Sequence, residues 1–544
     1  MLSSATATLE RRRGGRVYFR GMLMRATGSK WIWGVAWVVW TITQVQAGQS
    51  PFESSTNSPH ANPIDRPVLV RYEKLGLTPA NPCSDAVFVR RVYLDVIGTL
   101  PTATQAREFI LDQNPDKRRK LIDQLLERDE FADYWAMKWC DVLRVKAEFP
   151  INLWPNAAQA YHRWIRTSVR DNKPYDQFAR ELLTSSGSNF RVGPVNFYRA
   201  MQNRDPQGIA QTVALTLMGT RADKWPTNEL AGFAAFFAQV GYKSTSEWKE
   251  EIVFWNPAAT NAPTVGVLPG GKQIHLTGDR DPRELFADWL IDPKNPWFTR
   301  NLVNRVWAWL LGRGIIHEPD DIRTDNPPSH PELLALLERE FVSSKYDLKQ
   351  LYRLILNSQT YQLASIPQSE KPGAAANFAA YPLRRLDAEV LIDALNQITS
   401  TTEKYSSPIP EPFTFIPEEQ RSIALPDGSI TSPFLEMFGR SPRDTGFESE
   451  RNNRITDAQR LHLLNSSQVQ RKISQSRMLQ YQLQGNKSPR EIITAMYLGI
   501  LSRFPTDDEV KIAESYAKSV PSKREATTDL AWALINSVEF LYRH

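Results

Sequence analysis

The side chains best placed to do chemistry sit in the loop 315–329 and the turn after it. His317, Glu318, Asp320, Asp321, Arg323, Asp325 and His330 crowd one short connection between two apolar helical patterns. Imidazole with carboxylate suits zinc or manganese, and carboxylate with backbone carbonyl suits calcium. On that chemistry His317, Asp320, Asp321, Asp325 and His330 are candidate ligands for a divalent metal. A metal-dependent hydrolase would use Asp321 and His330 as ligands and Asp320 or Asp325 as base. The competing reading is local. Asp320, Asp321 and Arg323 would form turns and ion pairs, and 329–332 would cap a helix. The spacing matches no metal signature, which favours the local reading.

A second cluster lies in FGRSPRDTGFESERNNR, residues 438–454. Arg440, Arg443, Arg451 and Arg454 alternate there with Asp444, Glu448 and Glu450. Guanidinium forks hold sulfate or carboxylate through paired hydrogen bonds, so Arg440, Arg443, Asp444 and Arg451 are candidate ligand contacts. The alternating signs favour the other reading, a self-neutralising surface network. A third cluster is Arg90, Arg91, Tyr93 and Asp95. Arg91 and Asp95 are four apart, which predicts a pair within one helix. No serine elbow, His-Glu-x-x-His pair, phosphate loop or dinucleotide fingerprint occurs as a local motif.

The net charge of +6 suggests an anionic partner until it is located. Residues 1–47 carry Arg11, Arg12, Arg13, Arg16, Arg20, Arg25 and Lys30 against Glu10 alone, and the rest of the chain balances. A global field that attracts nucleic acid is therefore not supported. The basic segment precedes an apolar run at 31–42 and the small-residue pattern Val45-Gln46-Ala47, which is the order of an export signal. The run is shorter than the about 20 residues of a membrane span. That favours a periplasmic or extracellular protein over one anchored by 31–42. An oxidising compartment would let Cys83 and Cys140, the two cysteines, form a disulfide. The alternative places Cys140 as a small buried hydrophobe beside Trp139.

These clusters need elements to hold them, and the periodicity predicts helices throughout. Leu302, Val306, Trp309 and Leu310 share one face. Leu333, Leu334, Leu337 and Phe341 share a second, and Leu348, Leu351, Tyr352 and Ile355 a third. Capping signals recur at 102–105, 281–284, 329–332, 488–491 and 506–509. The expected architecture is mainly α, two helical domains joined by a short β-containing segment. Its parts are a signal at 1–47, a flexible lead-in at 48–80 and a helical domain at 81–243. A linker with short strands follows at 244–280, then a helical domain at 281–544 with a proline-rich insertion at 400–431.

Several longer strings are recognisable. FVRRVYLDVIGTLPT at 88–102 resembles the opening of the planctomycete domain of unknown function fifteen-forty-nine. GRGIIHEPDDIR, NPPSHPELL, LEMFGRSPRDT, RLHLLNS and the terminal WALINSVEFLYRH resemble its companion, domain fifteen-fifty-three. The resemblance implies a secreted helical family often found beside or fused to c-type cytochrome domains, with no established biochemical role. Many relatives carry a Cys-x-x-Cys-His haem peptide before the segment matching AGFAAFFAQ. Here that piece reads LMGTRADKWPT, residues 217–227, with neither cysteine nor histidine. No c-type haem and no other resident cofactor is expected beyond the candidate divalent metal. A separate cytochrome docked on the 219–227 loop, or a cell-surface protein, is the partner this implies. Three functions follow: an accessory component of a cell-surface or polymer-handling system, the metal-dependent hydrolase, or a binding module for anionic, sulfated polysaccharide.

Overall fold

The computed structural model describes residues 50–55, 61–259 and 262–544. The export signal expected at 1–47 lies outside the described residues. Two helix-rich regions flank a small β-containing segment, as the periodicity and turn signals predict. In that segment Glu251–Trp255 pairs antiparallel with both Val240–Ser244 and Gly187–Ser188. A separate two-stranded ribbon joins Val265–Val267 to Gln273–His275.

The three apolar faces read from the sequence are all buried, on the helices Phe298–Leu311, Pro331–Ser343 and Leu348–Leu356. An aromatic seam ties them to the Asp129–Val142 helix. Trp135 lies 5.6 Å from Trp309 and 4.3 Å from Tyr352, and Trp139 lies 5.6 Å from Trp309, between ring centroids. Tilted and edge-on rings at such distances add to the area they bury. Residues Gln49–His544 form one compact unit, because helices from both regions contribute to the same core.

Most capping signals work as written. Thr102 with Gln105, Ser488 with Glu491 and Thr506 with Glu509 form reciprocal capping boxes. At 329–332 the cap is His330, whose Nδ1 accepts from Leu333 N at 3.2 Å. Ser329 instead donates to Ile315 O at 3.1 Å. The stretch expected as a flexible lead-in contains a helix, Asp65–Leu75. Tertiary contacts order it: Val68 and Tyr72 are buried, and Tyr72 donates to Phe378 O at 2.7 Å. The insertion at 400–431 is also packed down. Asp393 accepts from Ser422 N at 2.8 Å, and Asp427 accepts from Ala147 N at 2.9 Å.

Candidate anion-binding site

The terminal strand Tyr542–Arg543 pairs antiparallel with Arg384–Arg385, setting Arg384 opposite Arg543. A two-residue ladder is weak by itself, and charged side chains hold it in place. Arg543 lies 3.0 Å from Asp95 Oδ1 and 3.2 Å from Asp387 Oδ2, with all three residues buried. Asp95 also accepts from the hydroxyls of Tyr361 at 3.0 Å and Tyr381 at 2.8 Å. Asp387 accepts from Lys138 Nζ at 3.0 Å and Asn453 Nδ2 at 2.7 Å. Burial alone would raise the Asp387 carboxyl, but Lys138, Arg543 and Arg451 outweigh it and hold it well below the usual carboxylate range. Burial pushes the Lys138 ammonium down, with Asp387 opposing.

In front of this network opens a cavity of about 480 Å³. Its walls are Lys138, Trp309, Gly312, Arg384, Arg385, Asp387, Glu448, Arg451, Asn453, Arg454, Tyr542 and Arg543, with Ala308, Leu383 and Ile455. Arg384 closes the end of the Phe298–Leu311 helix by donating to Trp309 O at 2.8 Å and Leu310 O at 2.6 Å. Those are carbonyls that a helix end leaves unpaired, and a cation suits the negative end of its dipole. Gly312 follows with φ of 71°, and a Cβ there would collide with the Arg384 side chain. Arg451 grips Asp141 Oδ2 at 2.6 Å and Glu389 Oε2 at 2.6 Å. Burial raises Glu389, and Arg451 with Arg440 more than offsets it, holding it at about 2. Glu448 accepts from Trp309 Nε1 at 3.2 Å and is pushed up by burial.

The wall therefore presents Lys138, Arg384, Arg385, Arg451, Arg454 and Arg543 against Asp387 and Glu448. Behind it Asp95, Asp141 and Glu389 neutralise part of that charge. No ion pair to a carboxylate holds Arg385 or Arg454 among the described residues, and the buried Arg385 Nη1 has no hydrogen-bond partner there. The rest of the Arg385 guanidinium donates to backbone carbonyls, Asn453 O at 3.2 Å, Asn452 O at 3.0 Å and Phe438 O.

Of the arginine cluster read from 438–454, Arg451 and Arg454 line this cavity. Arg440 and Arg443 are spent inside the protein. Arg440 donates to Ile430 O and to Asp427 O, and Arg443 lies 3.0 Å from Asp141. Asp444 pairs with Lys146 at 2.6 Å. Lys138, Arg384, Arg385, Asp387 and Arg543 come from three further places in the chain and were not read as a site. The expected Arg91–Asp95 pair does not form. Arg91 donates to His544 O at 2.8 Å and stacks 3.7 Å over Tyr381, leaving Asp95 for Arg384 and Arg543.

The acidic loop does not converge on a metal. Among the described residues no group of three or more His, Cys, Asp or Glu is arranged to hold one. Asp320 is fully buried and is occupied by Arg221 at 3.0 Å and Glu448 N at 3.1 Å. Asp321 and Asp325 flank Arg323 at 3.3 and 3.4 Å. His330 caps its helix, and its Nε2 contacts Pro67 O at 3.2 Å. Burial pushes the His317 imidazole down, with Arg313 adding to the effect. The disulfide is absent too: Cys83 and Cys140 are free and buried. Cys83 neighbours Arg118, whereas Cys140 lies inside the Asp129–Val142 helix, where burial pushes its thiol up to about 12. The residues of 217–227 offer no thiol or imidazole and do not fit a c-type haem. That stretch is tied to the acidic loop instead, by Ile322 N to Gly219 O at 2.8 Å and Arg221 to Glu318 at 2.8 Å.

Two family models match the chain. PSCyt2, a protein of unknown function (DUF1549), covers residues 63–242, and PSD1, a protein of unknown function (DUF1553), covers residues 282–517. No curated protein and no solved structure matches. The cavity takes Lys138 from the first matched region, its other walls from the second, and Tyr542 and Arg543 from the tail beyond it. By the identity and order of these two regions, the chain belongs to the planctomycete, cytochrome-associated proteins that join a DUF1549 domain to a DUF1553 domain.

Proposed function

We propose that this protein is an exported accessory component that holds an anionic group, a sulfate or carboxylate of an acidic polysaccharide, in the cavity before Asp387. The observation that carries this reading is the charge of the wall. Six cations line it with two carboxylates, and among the described residues no ion pair to a carboxylate holds Arg385 or Arg454. A volume of about 480 Å³ suits one charged sugar unit with its substituent. Trp309, Leu383, Ile455 and Tyr542 add apolar surface beside the cations, as a pyranose ring requires. Export rests on the basic, apolar, small order of residues 11–47. No described helix is long and apolar enough to cross a membrane. A separate cytochrome or cell-surface protein is the working partner, in keeping with the families matched.

The test is calorimetric titration of the full chain with sodium sulfate and with sodium glucuronate. Binding is expected to weaken as sodium chloride is added. Arg454→Glu reverses the one exposed cation of the wall and should cost at least about tenfold in affinity, since it replaces attraction with like-charge repulsion. Its circular dichroism should stay that of the parent. Absence of binding by the parent chain, or equal binding by Arg454→Glu, overturns the proposal.

A further inference from the structure

A second surface shares no lining residue with the anion cavity. The helix Asp65–Leu75 lies beside Pro331–Ser343, and a groove of about 550 Å³ runs between them. Pro67, Val70, Ala335 and Leu336 line it with apolar surface, and Arg66, Lys74 and Arg339 line it with positive charge. Both helices are seated by other faces. Val68 and Tyr72 of the first are buried, as are Leu333, Leu334, Leu337 and Phe341 of the second. The core therefore does not account for the groove face. Val70 remains 56% exposed.

The spacing is that of a helix seat. Arg66, Val70 and Lys74 follow each other by four along one helix face, and Glu332, Leu336 and Arg339 by four and three along the other. Two neighbouring helices with their ridges so arranged leave a trough into which a third packs. From Arg66 to Lys74 the groove extends about 12 Å, a little over two turns of an occupant helix. The charge is one-sided: four arginines and lysines against Glu332. Arg71 is committed to Asn377 and Ser329 O, at 3.1 and 2.9 Å. The Arg66 and Arg339 side chains make no hydrogen bond or ion pair among the described residues.

We propose that this groove docks an acidic amphipathic helix of a partner protein. Apolar residues of that helix enter between Val70 and Leu336, and its flanking carboxylates meet Arg66, Lys74 and Arg339. The probe is a fluorescein-labelled synthetic helix of about 15 residues, with leucine at helical period on one face and glutamate on its flanks. A control peptide replaces every glutamate by lysine. Fluorescence anisotropy against the full chain should show the glutamate peptide binding at least about tenfold more tightly than the control. The variant Arg66→Glu/Lys74→Glu/Arg339→Glu should lose at least about tenfold for the glutamate peptide, with an unchanged circular dichroism spectrum. Val70→Ser should also weaken binding, through the apolar lining alone. Three results overturn the proposal. The two peptides bind alike; the triple variant binds as tightly as the parent; or neither peptide binds while vesicles containing phosphatidylglycerol, or a second copy of the chain, do.

Discussion

At the scale of single residues, the cavity rests on charges placed out of water and paired there. Arg451 is the clearest case, because its fork serves both Asp141 and Glu389. Replacing it by methionine keeps the length but removes the shared cation, leaving Asp141 to Arg443 and Glu389 to Arg440. The cost should be about 3–5 kcal/mol, the range for removing one partner of a buried pair. Chemical denaturation would read it as a lower midpoint with an unchanged slope. Lysine at this position should also destabilise, since a point charge cannot bridge both carboxylates as a planar fork does. Glu389 predicts a pH effect of definite sign. Its folded carboxyl is held at about 2, below the ordinary 4.5, so the unfolded chain takes up this proton first. Its stabilising contribution is complete above about 4.5 and is lost as the pH falls toward about 2. Melting temperatures across that window should fall less steeply in Glu389→Gln than in the parent. Parallel curves would show that Glu389 is not the group responsible.

At the scale of elements, the site depends on how one helix stops. Phe298–Leu311 ends at Gly312, whose positive φ releases the chain and whose missing Cβ leaves room for Arg384. Arg384 then caps the carbonyls of Trp309 and Leu310 and becomes a cavity wall. Gly312→Ala should therefore cost stability twice, through about 1–2 kcal/mol of left-handed backbone strain and through displacement of Arg384. Sulfate affinity should fall with it. A variant that melts early yet binds sulfate like the parent would separate the helix end from the site. The glycine and the helix were both evident in the sequence. Nothing local announced that Arg384, so far along the chain, fills the space beside them.

At the scale of the whole molecule, the last residues close the structure over its beginning. Arg543 sits between Asp95 and Asp387, Arg91 donates to His544 O, and Arg90 donates to Phe540 O at 2.8 Å. Deleting 542–544 removes the strand and leaves Asp95 with Arg384 as its one remaining cation. A loss of several kcal/mol is expected, on the order of 3–5, the range for removing one partner of a buried pair. Differential scanning calorimetry would register it as a large drop in the melting temperature of the whole unit. An unchanged transition would mean that the tail is not part of the cooperative core. What the sequence determined by itself was local. The apolar faces of the helices from Phe298 to Leu356, the capping boxes at Thr102, Ser488 and Thr506, and the family strings follow from neighbours along the chain. These are short-range preferences, and the fold respects them. The partners of charged side chains were decided only in three dimensions. Arg91 and Asp95 had the spacing of a pair and went to different partners. Arg440 and Arg443 had the composition of a ligand site and were buried, while Lys138, Arg384 and Arg543 assembled one from distant segments. A buried charge is costly enough to take whichever opposite charge packing brings near it, and sequence distance does not enter that choice.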